Sequence, residues 1–397
     1  MKLIGKLRRS PALGVGLTAL AVWVTAGLAG THAAPLSVQA LPEGRWPLEP
    51  GSISFNVKVM GDYAYVALGG GGLAVIDVSD PTNCTRVGGW PMAWSVSAVV
   101  VKGNYAYLAD GIAGLQVIDV SNPAQCVRVG GYLIGSWARN LAVSGNYAYV
   151  TTDQQGLVVI DVSNPTNCAR VGGYVTRDHA VDVAVSGNYA YVTVHSEDLQ
   201  IVDISNPTNC VRVGSYDTRG YPKGVVVSGN YAYVADVSTG LSVIDVSNPV
   251  DCVLVGRYST GCLNGSVALS GNFAYVTDEC IGLQVIDVSN PTNCVRVSSY
   301  KTGGQGNDVV VVANRIYLAD EYEGLLVLPS VPNVQFTVRV EAETNQPFTL
   351  EAATDLSGAG NWSPLVTTNV PVMPFDFVDF DVRIAEKPQK FYRVRQP

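Results

Sequence analysis

Six tandem units of four short apolar runs and a seventh of three predict an all-β chain that closes into a seven-bladed β-propeller, followed by a small C-terminal β-sandwich module. Three observations support this prediction: a constant period of 42 residues, strand-and-turn composition within each unit, and two ends that complement each other. No unit contains a helical pattern of ten residues, which excludes helical repeats of similar length.

The period is constant over six successive copies, without gap or insertion. A tyrosine in the second run, an aspartate at the end of the third and a cysteine at the start of the fourth each recur every 42 residues. These residues are Tyr65, Tyr107, Tyr149, Tyr191, Tyr233, Tyr275 and Tyr317; Asp77, Asp119, Asp161, Asp203, Asp245 and Asp287; and Cys84, Cys126, Cys168, Cys210, Cys252 and Cys294.

Each unit has the composition of four strands. The fourth unit contains the runs "DVAVSG", "NYAYVTV", "LQIVDISNP" and "CVRVGSY", which are rich in Val, Ile and Tyr and are separated by Gly, Asn and Pro. The third run has apolar residues on both faces, such as Leu283 and Val285 on one and Ile286 and Val288 on the other. A strand buried on both faces implies that sheet packs on sheet, as propeller blades do.

The two ends of the repeat region complement each other. The seventh unit stops after its third strand, with Pro329 where the repeated aspartate would stand. The N-terminal stretch "LPEGRWPLEP" resembles the fourth-strand segment "VGGWPMAW" around Trp90. Residues near 36–47 are therefore predicted to complete blade seven and close the ring.

The N-terminus predicts export. Basic residues precede an apolar stretch from about Ala12 to Ala29, and Thr31-His32-Ala33 is a plausible cleavage site, so residues 1–33 are predicted to be a signal peptide. An uncleaved membrane anchor is the alternative. Cleavage removes four basic residues and leaves 21 Lys and Arg against 33 Asp and Glu. We expect a secreted, periplasmic or cell-surface monomer that binds no nucleic acid and does not insert into membranes.

At these residues the chain resembles the LVIVD-repeat family of bacterial β-propellers, whose units carry "LxVIDVSNP" and "GNYAYVA". The resemblance covers about 57–330 and implies an extracytoplasmic propeller without a catalytic motif. The predicted propeller domain is 34–330. Residues 331–397 contain five predicted strands and resemble the β-sandwich module, ending in Phe-Tyr-Arg, of many exported bacterial proteins. This module is expected to cap the chain or to dock on a partner.

The cysteines fall into two groups. Neighbouring blades pack about 10 Å apart and diverge outward, and a disulfide needs Cα atoms within about 7 Å. The six repeated cysteines are therefore too far apart for disulfides or a zinc site and are predicted to be isolated thiols. Cys262 and Cys280 occur once each, on the two sides of the first hairpin of blade six, and are predicted to form a disulfide. No metal or cofactor is expected.

Two sets of carboxylates are interpreted as structural. The repeated aspartate, from Asp77 to Asp287, is expected to be buried and hydrogen-bonded by the Ser-Asn-Pro turn that follows it. A second, irregular set in blades six and seven is interpreted as a solvated acidic rim, with a calcium site as the alternative. Its members are Asp278, Glu279, Asp308, Asp320, Glu321 and Glu323.

The candidate ligand site consists of residues that break the repeat. On the face formed by the connections between blades, Trp137, His179 and Tyr221 stand at one register, with Trp94 one position off. Arg139 and Lys223 follow two residues after Trp137 and Tyr221. An aromatic arc with flanking cations suits stacking on a sugar ring or gripping a peptide carboxylate or anionic glycan. Packing of the loops against each other is the alternative.

Three functions stay open at this stage. The first is a non-enzymatic binding or scaffold propeller that recognises an extracellular glycan or protein ligand. The second is a glycan-active hydrolase or lyase, with His179 or His195 and Asp178 or Glu197 as acid and base. The third is a structural envelope protein without a specific ligand. The absence of a recognisable catalytic motif favours binding over catalysis.

Overall fold

The protein is described by a computed structural model that covers residues 42–48, 52–91, 94–196, 198–261 and 265–329, and the backbone of Asn264 and of seven further strands. The chain divides into two compact units. One unit is Ser37–Leu328, and the other combines Met1–Leu36 with Pro329–Pro397.

The first unit is the predicted seven-bladed propeller. Each blade is an antiparallel sheet of four strands. Blades 1 to 3 comprise Asn56–Met60, Tyr63–Ala67, Leu73–Asp77 and Thr85–Trp90; Val96–Lys102, Tyr105–Asp110, Leu115–Asp119 and Val127–Tyr132; and Ala138–Ser144, Tyr147–Thr152, Gly156–Asp161 and Ala169–Tyr174.

Blades 4 to 7 repeat the pattern. Blades 4 to 6 comprise Ala180–Ser186, Tyr189–Val194, Asp198–Asp203 and Val211–Tyr216; Pro222–Ser228, Tyr231–Asp236, Gly240–Asp245 and Val253–Tyr258; and Asn264–Ser270, Phe273–Asp278, Gly282–Asp287 and Val295–Lys301. Blade 7 comprises Gly306–Val312, Arg315–Asp320 and Gly324–Pro329, with Gly44–Trp46 as its fourth strand.

The core lies between facing sheets of neighbouring blades. One apolar cluster, for example, joins Tyr65 and Leu73 of blade 1 to Leu108 and Ile118 of blade 2. The seven repeated tyrosines are all buried. Third strands are buried on both faces because each blade is covered by a neighbour on either side, and each buried Leu or Ile contributes about 1.5–3 kcal/mol.

The N-terminal strand closes the ring, as predicted. Trp46 pairs with Leu325, and Gly44 pairs with Val327. In blade 1, Trp90 pairs with Leu73, and Gly88 pairs with Val75. The segment Gly44–Trp46 therefore takes the same register as Gly88–Trp90, which explains why the two sequences are alike.

The propeller has two faces. The connections between blades and the turns between second and third strands form one face, called here the loop face. The turns after first and third strands form the opposite face, called the turn face. Backbone hydrogen bonds join the two kinds of turn on the turn face, as from Val78 N to Asp62 O at 2.8 Å.

The repeated aspartates lie on the turn face. An Asp77 carboxylate oxygen accepts hydrogen bonds from the backbone N–H and the hydroxyl of Ser79, at 2.9 and 2.6 Å. These bonds lower the pKa of Asp77 below its ordinary value. The predicted bond to the following turn is confirmed, but the predicted burial is wrong. Asp77 keeps contact with solvent because the turn, and not the neighbouring blade, surrounds it.

The six repeated cysteines are free, as predicted. Each thiol donates to the carbonyl of the proline three residues earlier, at 3.3 Å from Cys84 to Pro81. Burial raises the pKa of Cys84 and Cys252 to about 11, so these thiols are poor nucleophiles. This position suits cysteine because a small, weakly polar side chain fits against the turn carbonyl.

Cys280 is bonded in a disulfide. Its predicted partner, Cys262, lies outside the described residues, so the pairing of these two cysteines stays a prediction.

The second unit contains seven strands in two sheets. The first sheet has the order Ala21–Thr25, Lys2–Lys6, Phe336–Val340 and Phe375–Asp379, and the second has Ser363–Asn369, Pro347–Ala353 and Phe391–Arg395. Signal cleavage and the sandwich arrangement stay predictions. Within the described residues, no helix is long and apolar enough to cross a bilayer.

Candidate ligand-binding face

The loop face brings together side chains from consecutive blades. In blades 3, 4, 5 and 7, a backbone hydrogen bond ties the preceding inter-blade connection to the turn between the second and third strands. His195 N donates to His179 O, and Val237 N donates to Tyr221 O, both at 3.1 Å. Side chains at equivalent positions of these segments therefore project from neighbouring points on the ring.

Three rings follow one another across blades 4 and 5. The ring centroids of His179 and His195 are 6.0 Å apart, and those of His195 and Tyr221 are 6.4 Å apart, both in edge-to-face geometry. Tyr221 is 59% exposed. One blade earlier, the Trp137 indole lies against Gly111, where an added Cβ would approach Cζ2 to 3.1 Å. We call Trp137, His179, His195 and Tyr221 the aromatic strip.

A carboxylate joins two of the predicted site residues. Asp153 pairs with the Arg139 guanidinium, and its side chain also lies 3.4 Å from His179 Nδ1. On the other side of the imidazole, His179 Nε2 is 3.8 Å from Asp178 Oδ1. A hydrogen bond from the backbone N–H of His179 lowers the pKa of Asp178. His179 is thus held between two carboxylates.

His195 is a half-buried ring of the strip. Burial, and then the nearby Arg139 charge, lower its pKa below the ordinary value, so this imidazole is neutral at pH 7. A neutral imidazole can both donate and accept one hydrogen bond, which suits recognition of a hydroxyl or amide group.

The remaining predicted residues are placed on either side of the strip. Lys223 Nζ lies 3.8 Å from Glu279 Oε1 of blade 6, so this cation is partly neutralised. Trp94, 54% exposed, stands beside a groove over blade 2 with Ile112 and Leu133. The structure therefore brings Arg139, His179 and Tyr221 together through Asp153 and His195, and leaves Trp94 at a second position on the same face.

Sequence reasoning missed Asp153 and did not pair Glu279, named among the irregular carboxylates, with Lys223. Asp153, His195 and Glu279 occupy one register of the repeat, in blades 3, 4 and 6, with Val237 at that position in blade 5. The comparison that identified Trp137, His179 and Tyr221 would have found them if extended to the next turn. Glu197, the other proposed acid or base, lies outside the described residues.

Two non-glycine residues with left-handed backbone lie beside the strip. The φ angles are 63° at Asp198 and 62° at Arg219. Such conformations cost on the order of 1 kcal/mol or more and concentrate at functional sites. Thr218 Oγ1 donates to Asp198 at 3.1 Å, and Arg219 N donates to Asp217 at 2.7 Å, so local hydrogen bonds hold both turns.

The central channel carries a belt of polar residues at one register of the first strands. Asp308 accepts from Asn56 Nδ2 at 2.5 Å, from Ser266 Oγ at 2.6 Å and from Lys58 Nζ at 3.0 Å. Asp182 accepts from Asn140 Nδ2 at 2.6 Å and from Val225 N at 2.8 Å. These bonds join neighbouring blades, so the belt is structural.

The interpretation of the irregular carboxylates as a solvated rim is wrong for three of them. Asp278 and Asp320 are fully buried, and Asp308 is nearly so. Asp278 Oδ1 accepts from Cys280 N and Ile281 N, each at 2.9 Å, so it holds the turn that follows it. Within the described residues, no group of three or more His, Cys, Asp or Glu side chains could hold a metal ion.

Solved structures share the propeller architecture. A chain of the mitotic checkpoint complex aligns with a TM-score of 0.63 at 13% identity, over 77% of this chain and 99% of that chain. The structure of U3-55K aligns at 0.60 and 9% identity, over 71% and 97%. The computationally designed Ika8 protein aligns at 0.56 and 9%, over 74% and 98%. At these identities the likeness concerns the fold alone.

The comparison with curated proteins finds no match. The family model described as "LVIVD repeat" matches more than half of the chain, in six segments: 51–89, 93–133, 135–176, 178–218, 219–260 and 264–302. These segments are blades 1 to 6 with their inter-blade connections. The chain belongs to the LVIVD repeat family.

Proposed function

We propose that this protein is an exported, non-enzymatic binding propeller whose loop face recognises a glycan or a peptide. The observation that carries the proposal is the aromatic strip. The rings of His179, His195 and Tyr221 meet edge to face, and Tyr221 presents most of its surface to solvent. Exposed rings held in fixed orientation bind with a small loss of side-chain entropy.

The chemistry around the strip suits a polar ligand with a flat face. Sugar rings and peptide planes stack on aromatic side chains, and the neutral His195 imidazole can exchange hydrogen bonds with hydroxyl or amide groups. Arg139 and Lys223 stand at the two sides, each with a carboxylate partner. A ligand carboxylate or sulfate could replace either partner.

Two observations favour binding over catalysis. The channel carboxylates Asp182 and Asp308 are occupied by hydrogen bonds between blades, which leaves them structural. The family resemblance implies no catalytic motif to place on this chain.

The test is binding of the mature protein, residues 34–397, to a glycan and peptide array, beside a Trp137→Ala/Tyr221→Ala double variant. Tyr322→Ala is the matched control, because Tyr322 is also an exposed tyrosine on the loop face, in blade 7. We expect binding that the double variant loses and the control keeps. Binding that survives the double variant would place the site elsewhere. No binding at all would favour the structural envelope role.

One arrangement supports a glycan-active enzyme as the second candidate. His179 lies between the carboxylates of Asp153 and Asp178, as a general acid or base would. Release of new sugar ends from extracellular polysaccharides, lost in His179→Ala and kept in Tyr322→Ala, would establish this activity. Absence of release across a polysaccharide panel that the protein does bind would reject it.

Export is part of the proposal and has its own test. The protein is expected to leave the cytoplasm and to lose residues 1–33. Intact-mass measurement of the exported protein should give a chain that starts at Ala34. A mass that includes residues 1–33 would instead support an uncleaved anchor.

A further inference from the structure

A groove of about 400 Å³ lies over blade 2 on the loop face. Trp94, Ile112 and Leu133 stand at its rim as exposed large apolar side chains, Leu133 with 72% of its surface accessible. The groove is lined by Trp94, Ile112, Ala113, Gln116, Arg128, Gly131, Tyr132 and Leu133. Its volume falls within the range of small-ligand sites.

In three other blades, a side chain spans the position that corresponds to the groove and hydrogen-bonds to a carbonyl of the inter-blade connection. In blade 3, Gln155 Nε2 donates to Ile134 O at 2.8 Å. In blade 5, Arg257 Nη2 donates to Thr218 O at 3.1 Å, and in blade 6, Gln284 Nε2 donates to Thr260 O at 3.2 Å. The three accepting carbonyls occupy one register of the inter-blade connections.

The groove is open over blade 2 because the crossing side chains are missing there. Ala113 stands at the register of Gln155, and Gly131 stands at the register of Arg257. Gln116, the counterpart of Gln284, instead donates to Ala113 O at 2.8 Å. The opening is therefore a property of this blade's residues and not of the repeat.

Three large apolar side chains meet at this rim, whereas blade 3 has one, Val175 at the position of Leu133. The positions of Trp94 and Ile112 hold Ser136 and Gln154 in blade 3. In blade 4 the position of Leu133 holds Asp217. Three large apolar side chains thus coincide with small residues at both crossing positions, whereas blade 1, with Gly71 and Gly89 there, has no such rim.

Gln116 and Arg128 form a hydrogen-bonded pair in the groove. Gln116 is buried, its amide nitrogen is bound to Ala113 O, and its oxygen accepts from Arg128 Nε at 2.5 Å. Among the described residues, the two Nη groups of Arg128 have no hydrogen-bond partner. One cationic fork beside an apolar pocket is thus what a ligand would meet.

This inventory decides the ligand class. The exposed rim of Trp94, Ile112 and Leu133 can cover an apolar group, and the Arg128 fork can pair with a carboxylate. An apolar side chain needs no partner, and a neighbouring carboxylate fits the guanidinium fork.

We infer that the blade 2 groove is an anchor pocket for a large apolar side chain of an extended acidic peptide, with a neighbouring Asp or Glu of the peptide paired to Arg128. The inference rests on the proposed binding function and assigns its ligand to the peptide class. It adds a pocket next to the aromatic strip, since Gly111, on which Trp137 packs, directly precedes Ile112.

The test uses an array of random N-acetylated octapeptide amides and then fluorescence titration of the selected peptide. The groove is filled by Ala113→Gln, which copies Gln155 of blade 3, and Gln155→Ala is the matched control. Arg128→Gln removes the charge and keeps a polar side chain. Thermal unfolding of each variant checks that the fold is kept.

We expect selected peptides to share a large apolar residue next to Asp or Glu. Ala113→Gln and replacement of the peptide's apolar residue by Ala should each weaken binding by about 10-fold or more, the value of one buried apolar side chain. Arg128→Gln should weaken the binding of acidic peptides by about 5- to 10-fold. It should not change the binding of the same peptides with Asn or Gln in place of Asp or Glu. Gln155→Ala should have no effect.

The outcomes separate this inference from the proposed function. Peptides that bind wild type and Ala113→Gln equally would overturn the anchor pocket and leave a binding face. Equal binding of acidic peptides and of the same peptides with Asn or Gln in place of Asp or Glu would overturn the pairing with Arg128. Glycan binding without peptide binding would overturn the peptide class alone. An array without any glycan or peptide ligand would overturn both proposals.

Discussion

Two rings of aspartates end neighbouring strands at opposite faces of the propeller, and they behave differently. On the turn face, Asp77 and its copies keep contact with solvent and accept hydrogen bonds from the following serine. These bonds lower the pKa of Asp77, Asp119, Asp161, Asp203 and Asp245. On the loop face, Asp110, Asp236, Asp278 and Asp320 end the second strands and are fully buried. Burial raises the pKa of Asp110 to about 6 and also raises that of Asp320.

The difference shows that chemical identity and strand position do not set the environment of a side chain. The turn-face aspartate repeats in every blade because a local turn needs it. The loop-face aspartate occurs in four of seven blades, with Leu68, Thr152 and Val194 at the equivalent positions of the others. There, inter-blade connections from elsewhere in the chain cover it.

Asp308, in the polar belt of the channel, extends the comparison to an aspartate whose hydrogen-bond partners come from the neighbouring blades 1 and 6. Asp308→Ala removes the acceptor for Asn56, Val57 N, Lys58 and Ser266. We expect the free energy of unfolding to fall by about 3–5 kcal/mol, the cost of breaking a buried charged network. Urea denaturation measures it, and a loss below about 1 kcal/mol would show that the belt does not hold the ring closed.

Asp110 and Asp161 should give opposite pH dependences. The pKa of Asp110 is raised when folded, so its contribution to stability is full below the unfolded pKa near 4 and is lost as pH rises through about 6. Asp110→Asn should therefore gain stability relative to wild type between pH 4 and 7, by about 3 kcal/mol for a shift of about two units.

Asp161 is the turn-face control. Hydrogen bonds from Ser163 lower its pKa, so its contribution is present above the unfolded pKa and is lost as pH falls. Asp161→Asn should lower the free energy of unfolding at neutral pH, and its difference from wild type should shrink as the pH falls. Unfolding curves at a series of pH values compare the two, and parallel curves for both variants would contradict the contrast between the faces.

Glycines test how tightly the turn that follows each turn-face aspartate is packed. A Cβ on Gly44 would lie 1.5 Å from Pro81 O, and one on Gly88 would lie 2.0 Å from Pro123 O. Gly44→Ala and Gly88→Ala should each lower the free energy of unfolding by about 1–3 kcal/mol. Gly70→Ala, where the nearest atom is 3.7 Å away, is the control and should change stability by less than about 0.5 kcal/mol.

The smallest effect concerns a turn-face hairpin. Blades 1 to 6 have glycine in the turn after the first strand, with φ near 60°, whereas blade 7 has Ala313 at φ 50°. Ala313→Gly should raise the free energy of unfolding by about 0.5–1 kcal/mol, because glycine adopts this conformation without strain. A loss of stability would show that backbone entropy outweighs the strain there.

Most of the fold was predictable from the sequence. Two-residue alternation, 42-residue spacing and the likeness of Gly44–Trp46 to Gly88–Trp90 identified the strands, the blades and the closing pair. The candidate face was predicted in part: His179 and Tyr221 do lie on one strip. The carboxylate partners Asp153 and Glu279 were not predicted, because they belong to different turns and meet the strip only when blades pack.

The sequence by itself determined what depends on near neighbours and on periodicity. The bond from Ser79 to Asp77, the thiol against Pro81 and the stacking of one unit on the next all follow from residues a few positions or one repeat apart. Only the tertiary structure decided the burial of Asp110, the pairing of Asn56 with Asp308 across 252 residues and the groove left open by Ala113. These depend on which distant segments share a space, and ring closure sets that.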